Sequence, residues 1–462
     1  MHENRLIALI SVASLACAPQ SEGQDLSSRA DSVVRAAALE GFSGVVRVEQ
    51  NGKVILEKGY GLADRAARIP FDARTVVQIG SNTKDFTAVA ILQLAERGRL
   101  TLDDPITRFF PDAPADKRAI TVHHLLEHEA GFPLGLGGDF ERRSRDELVT
   151  EAMRFKLLFE PGSKRSYSNT GYSLLAAIIE QMSGTSYDEY VRTNILNPIG
   201  LTDTGFHLPR FDDRRLAHGY RSGGEDAGTM LSRGHASDGP WWNLRGNGGM
   251  LSTVGDMSRF YKALFETDSL LKPASRRGGY NPREPVLLAG SDLVSMFMYE
   301  RDPEAELEII IASNNAEYRA NRLLRELHAL LIPPGARPRV VEGGPAPLVR
   351  REGKAAAPAI AAIVTELVET LNEGDSAALH AFVSMRFAAG EGAPTVEERM
   401  QRIGGLHRAM GRIEILTMTA ADEGPVEVIV RSAKEGEALL VLDIDRAPPH
   451  MIRRMGVQVG GG

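Results

Sequence analysis

Apolar residues alternate on both sides of Asn51-Gly52 in SGVVRVEQNGKVILEKG (43–59), which predicts two strands joined by a type I′ turn. An apolar run at helical spacing follows Ser81 and stops near Gly98, a residue suited to the left-handed position that closes a helix. From there to about residue 275 the pattern predicts helices and loops rich in Gly and Pro. Strand patterns return in EPVLLAG (284–290), LVSMFMY (293–299) and ELEIIIASN (306–314), and NRLLRELHALL (321–331) reads as a closing helix. Strands near both ends with helices between predict one sheet assembled from both, flanked by a helical region.

Residues 332–357 are dense in Pro, Gly and Ala without a sustained period and read as a linker. Beyond it, residues 358–462 begin with Ile360, Ile363, Val364, Leu367 and Leu371 at helical spacing. Two further helices and an antiparallel meander follow, which makes a small α+β domain. That domain resembles the NTF2-like fold on architecture alone, and it shows no catalytic constellation.

At 462 residues the chain is long enough for two domains. Its 43% hydrophobic and 25% charged residues match a globular protein, and the net charge of −7 is spread out. No Lys/Arg block points to a nucleic-acid partner. Residues 1–22 differ: Arg5 precedes an apolar stretch, Leu6 to Ala16, of signal-peptide length. Cys17, the chain's one cysteine, ends that stretch. Acylation of Cys17 as a lipid anchor and ordinary cleavage at Ala16-Cys17-Ala18 both remain open. Ser14 departs from the usual lipobox and Pro19 makes the ordinary cut awkward. Either way the chain is expected to be exported, periplasmic or secreted, with no disulfide.

The candidate chemistry begins with Ser81-Asn82-Thr83-Lys84. A serine needs a neighbouring base, and a lysine three residues on lies on the same helical face. Burial and the positive end of the helix would lower the lysine's hold on its proton. Taken alone, the string reads more readily as a cap on a helix, and Ser269-Leu270-Leu271-Lys272 repeats it directly before Pro273. Tyr167-Ser168-Asn169 changes the balance, as the one Tyr-x-Asn in the chain and the start of an apolar helix. Beside a lysine the tyrosine could be held as phenolate and exchange protons, and the asparagine amide could hold Lys84 or a substrate carbonyl.

Four blocks, IGSNTKDFTAVAILQLAERGRLTLDDPI, ITVHHLLEHEAGFP, YSNTGYSLLAAIIE and GNGGMLSTVGDMSRF, together resemble serine hydrolases of the class C β-lactamase and D-alanyl-D-alanine carboxypeptidase superfamily. The resemblance runs over about residues 28–331. It implies an α/β lobe with an antiparallel sheet beside an all-helical lobe, within a catalytic domain 23–331, and the site in the cleft between the lobes. It also implies acylation of Ser81, proton handling by Lys84 and Tyr167, orientation by Asn169, and no cofactor. The family's third motif, a Lys- or His-containing triplet ending in Gly, aligns with Leu288-Ala289-Gly290. Gly290 keeps the close backbone approach, and the Ser291 N–H would pair with that of Ser81 as an oxyanion hole. Leu288 offers no donor for a substrate carboxylate, so esters or amides of modest size are expected ahead of β-lactams.

Two rivals are weighed against this reading. One is a catalytically idle scaffold whose C-terminal domain binds a partner. The other is a zinc peptidase using His124-Leu125-Leu126-Glu127-His128, with both histidines on one helix face. Trp241 and Trp242 either line the acyl pocket or pack the helical region.

Overall fold

The computed structural model describes residues 22–332, 341–342, 354–355 and 357–459, apart from residues 208, 222, 234, 237, 277–279, 293, 316–319, 389–394, 421–425, 433–435 and 446. Of the expected leader 1–22, residues 1–21 with Cys17 lie outside the described residues, as does most of the expected linker. The chain divides into two compact units, Met1–Val340 and Val341–Gly462.

In the first unit five strands form an antiparallel sheet in the order Val286–Ser291, Met296–Asp302, Leu307–Ser313, Gly44–Gln50, Lys53–Tyr60. The hairpin between the last two turns at Asn51 (φ 51°) and Gly52 (φ 71°), the pair of positive angles that a type I′ turn requires. The central strand Leu307–Ser313 is buried on both faces. Ile309 and Ile311 face Val46, Val48 and the helices Glu22–Leu39 and Ala320–Leu331. Ile310 and Ala312 join the larger core, which also takes in residues of helices Thr83–Glu96, Asn169–Ser183 and Val254–Glu266. Each isoleucine withdrawn from water contributes about 1.5–3 kcal/mol, so the sheet is a rigid partition between two apolar layers.

Helix Asn169–Ser183 starts on a Ser168 side-chain cap and stops at Gly184, whose φ of 75° suits a left-handed closing residue. Helix Thr83–Glu96 ends two residues before Gly98, which has a φ of 66°. The second unit consists of helices Pro358–Glu373, Ser376–Arg386 and Val396–Met410 followed by strands Ile413–Ala420, Val426–Ser432, Gly436–Ile444 and Ile452–Val459. These strands pair in sequence, antiparallel, around a core that includes Val364, Leu367, Val428 and Leu440.

Candidate active site

Ser81 sits in a 3-10 turn, Gly80–Asn82, that leads into helix Thr83–Glu96. The turn is fixed from behind: Ile79 N–H donates to Met250 O at 3.0 Å, and Thr83 Oγ1 donates to Gly80 O at 2.7 Å. Ser81 is half-buried, whereas Lys84, one turn on, is only 6% exposed. Lys84 Nζ donates to Ser81 Oγ at 3.2 Å and to the Asn247 carbonyl at 2.7 Å. Burial lowers the lysine's pKa to about 7, while Asp139 and Asp85 pull in the other direction. A lysine so placed is available as a neutral base near pH 7.

Asn247 holds the lysine because it is itself held. Its Nδ2 donates to Ser173 Oγ at 2.9 Å and to Asn243 O at 2.8 Å. Here the structure departs from expectation, since Asn247 takes the role foreseen for the Asn169 amide. The Asn169 backbone N–H donates to Leu134 O at 2.8 Å, and its side-chain Oδ1 is buried with no hydrogen-bond partner.

Tyr167 presents its ring face to Lys84 Nζ, 4.7 Å from the centroid. Burial raises its phenol well above the ordinary value, with a hydrogen bond to Ser81 acting the other way. The tyrosine is therefore a neutral phenol at rest rather than a phenolate. Its loop is braced by His128, whose ring lies 4.5 Å from the Tyr167 ring and 5.0 Å from that of Tyr172. The Ser168 N–H donates to His128 Nδ1 at 3.1 Å, and burial lowers this imidazole's pKa to about 3. His128 is thus a neutral acceptor with its proton on Nε2.

That duty corrects the zinc geometry. The helix carrying the motif spans only Val122–Leu126, Glu127 is its last cap, and His128 has φ 60°. The two histidines do not share a helix face. His124 closes a capping box with Thr121, its Nδ1 accepting the Thr121 N–H at 3.3 Å.

The strand wall meets the nucleophile backbone to backbone. A Cβ on Gly290 would lie 2.2 Å from Ile79 O and 2.6 Å from Ser81 N; one on Gly80 would lie 2.6 Å from Ser291 N. The amides of Ser81 and Ser291 are therefore neighbours across a gap that only glycine leaves open. Leu288 pairs with Tyr299 in the ladder and is buried in the main core.

Asp85, beside Lys84, is another residue that motif reasoning passed over. Its carboxylate accepts from Tyr261 Oη at 2.9 Å and from Tyr280 Oη at 3.0 Å. Burial lifts its pKa to about 6. Asn82 Nδ2 donates to the same Tyr261 oxygen at 2.7 Å, so the turn bearing Ser81 is tied to helix Val254–Glu266. Trp242 is buried in the core, and Trp241 is half-buried with Arg142 over its ring at 5.5 Å. Ser269 lies on the surface, its Oγ engaged with Thr267 Oγ1 at 2.6 Å, and takes no part in this constellation.

The Beta-lactamase family profile matches residues 33–289, more than half of the chain, and the chain belongs to that family. It is 29% identical over 256 residues to penicillin-binding protein 4* of Bacillus subtilis (strain 168), covering 52% of this chain and 56% of that protein. It is 32% identical over 183 residues to protein flp of Staphylococcus aureus (strain COL), covering 38% of this chain and 37% of that one. The chain thus spans about half or less of the length of these curated relatives. The fold is shared with the penicillin-binding protein from Bacillus halodurans at a TM-score of 0.56 and 24% identity, over 65% of this chain and 99% of that one.

Proposed function

We propose that the protein is a serine hydrolase that forms an acyl-enzyme at Ser81 on esters or amides of modest size. The observation that carries this reading is Ser81 Oγ 3.2 Å from a buried Lys84 Nζ whose pKa lies near 7. In the proposed cycle neutral Lys84 takes the Ser81 proton as Oγ bonds to the substrate carbonyl carbon. The developing oxyanion lies against the Ser81 and Ser291 amides. The Tyr167 phenol gives its proton to the leaving oxygen or nitrogen as that bond breaks, and recovers one from Lys84. Water, deprotonated along the same route, then releases the acid and restores Ser81.

The preference for uncharged leaving sides rests on the strand wall. Leu288 has no donor, and Arg233 is engaged with Asp292 at 2.6 Å and with Gln78 at 3.2 Å. Among the described residues of this wall, a substrate carboxylate meets no uncommitted guanidinium. We place the enzyme outside the cytoplasm on the strength of its leader, periplasmic or secreted, with Cys17 as a candidate lipid anchor. Residues 358–462 are proposed as an NTF2-like unit, supported by three helices followed by an antiparallel meander.

The test is covalent. A fluorophosphonate probe is expected to label the full-length protein at Ser81, and Ser81→Ala to abolish the adduct in intact-mass measurement. Equal labelling of the variant overturns the assignment.

A further inference from the structure

We propose that Asp139 selects acyl groups that carry a positive charge: the substrates are aminoacyl esters or amides whose free ammonium pairs with the Asp139 carboxylate. The proposal rests on the acyl-enzyme reading and adds its substrate class.

Residue 139 is bracketed by contacts that lead to both halves of the catalytic site. On one side the Gly138 carbonyl accepts Asn243 Nδ2 at 2.8 Å. The Asn243 carbonyl accepts Asn247 Nδ2 at 2.8 Å, and the Asn247 carbonyl holds Lys84. On the other side the Phe140 ring lies 5.1 Å from the Arg233 guanidinium, which bonds Asp292, the residue next to Ser291. A few residues upstream, Leu134 O receives the Asn169 N–H. The loop therefore runs from the Tyr167 segment, past the base, towards the strand that bears Ser291, and Asp139 lies on it within electrostatic reach of Lys84.

Asp139 is half-buried and, among the described residues, has no hydrogen bond or ion pair. Burial raises its pKa, and the opposite charge that acts on it is Lys84. Lys84 must shed its proton to act as base, so in the working state Asp139 loses that counter-charge. Two residues that bond this loop from neighbouring segments each keep one acceptor without a donor. Asn243 is 7% exposed with Oδ1 buried and unpartnered, and Asn169 Oδ1 is likewise buried and unpartnered. A half-buried carboxylate without a hydrogen-bonded partner is complementary to an ammonium, which brings three N–H donors and no acceptor.

The experiment compares an aminoacyl p-nitroanilide with its N-acetyl derivative at pH 7, where the free amine is largely protonated. The wild-type protein is expected to favour the free amine in kcat/KM by about tenfold or more, and Asp139→Asn to bring the ratio near one. Asp139→Glu should keep a preference, which separates loss of charge from misfolding. Loss of the Asp139 charge also moves the acid limb of the pH profile to lower pH, because that charge raises the pKa of Lys84. A preference that is absent in wild type, or unchanged in Asp139→Asn, overturns the proposal. Calorimetry on Ser81→Ala with the matching aminoacyl amide and its N-acetyl form decides the point without turnover. Tighter binding of the free amine, lost in Ser81→Ala/Asp139→Asn, supports the charge pairing even where Ser81 labelling fails, and equal binding of both amides overturns it.

Discussion

The two walls that meet at Ser81 are built on opposite chemistry. On the helix side, Lys84, Asp85 and Asn82 are drawn out of water and fixed by hydrogen bonds to Asn247, Tyr261 and Tyr280. On the strand side, Val286 and Leu288 are buried in the apolar core and Gly290 contributes no side chain. In the proposed mechanism one wall supplies charge and proton traffic and the other supplies backbone position. Activation of the nucleophile and recognition of the substrate are then separable, because the strand Val286–Ser291 carries no cationic side chain.

The sharpest way to break that contrast is to remove the charge. Lys84→Met is expected to lower acylation by about 10³-fold, in the range of a lost general base, with the fold retained because a buried aliphatic stem is preserved. The pH dependence carries the same information in the wild type. Only neutral lysine accepts the serine proton, and its pKa is lowered to about 7. The acylation rate should rise about tenfold per pH unit below 7 and level off above it. A pH-independent labelling rate between pH 5 and 8 would show that Lys84 is not the base. His128 titrates far below this window and should leave no trace in it.

The strand wall is tested by the smallest possible addition. A Cβ at position 290 meets backbone atoms, Ile79 O at 2.2 Å and Ser81 N at 2.6 Å, which cannot swing aside as a side chain can. Gly290→Ala must push the strand from the nucleophile turn and widen the gap between the Ser81 and Ser291 amides. The expected loss in kcat is about 10²-fold, the scale of one lost oxyanion donor. KM should change little and the Lys84 pH limb should stay in place. A shifted limb would mean that the strand also sets the lysine's environment.

The sequence exposed these walls unequally. The meeting of Ser81, Lys84 and Tyr167 was expected from the helical spacing only together with the four-block resemblance, since the Ser-x-x-Lys string alone reads as a helix cap. The hairpin at Asn51-Gly52 and the three later strands were legible because alternation and turn chemistry are local. Asn247, Asp85 and Asp139 were not singled out, since their roles arise from contacts across the chain. Lys84 and Asn247 are 163 residues apart, and Asp85 and Tyr261 are 176 apart. His128 was visible only as a ligand in the rival zinc reading, because periodicity could not show that its helix stops at Leu126 and leaves the ring facing Tyr167. No local rule distinguishes a lysine held by Asn169 from one held by the carbonyl of Asn247.

The mildest test asks whether charge can be moved from one wall to the other. Short acyl esters should be turned over far better than cephalosporins by the wild type, because Leu288 gives a carboxylate nothing to bind. Leu288→Lys places an ammonium at a position now buried against the main core, beside Tyr299 in the ladder. Its desolvation opposes folding, so the melting temperature should fall. If the aliphatic stem carries the ammonium to the cleft, the cephalosporin-to-ester ratio should rise by about fivefold, the worth of a partly exposed ion pair. Comparable wild-type rates on esters and cephalosporins would refute the role given to Leu288. An unchanged ratio in a folded variant would place the substrate's anionic end away from this strand, and would leave Asp139 as the main source of charge selection at the mouth.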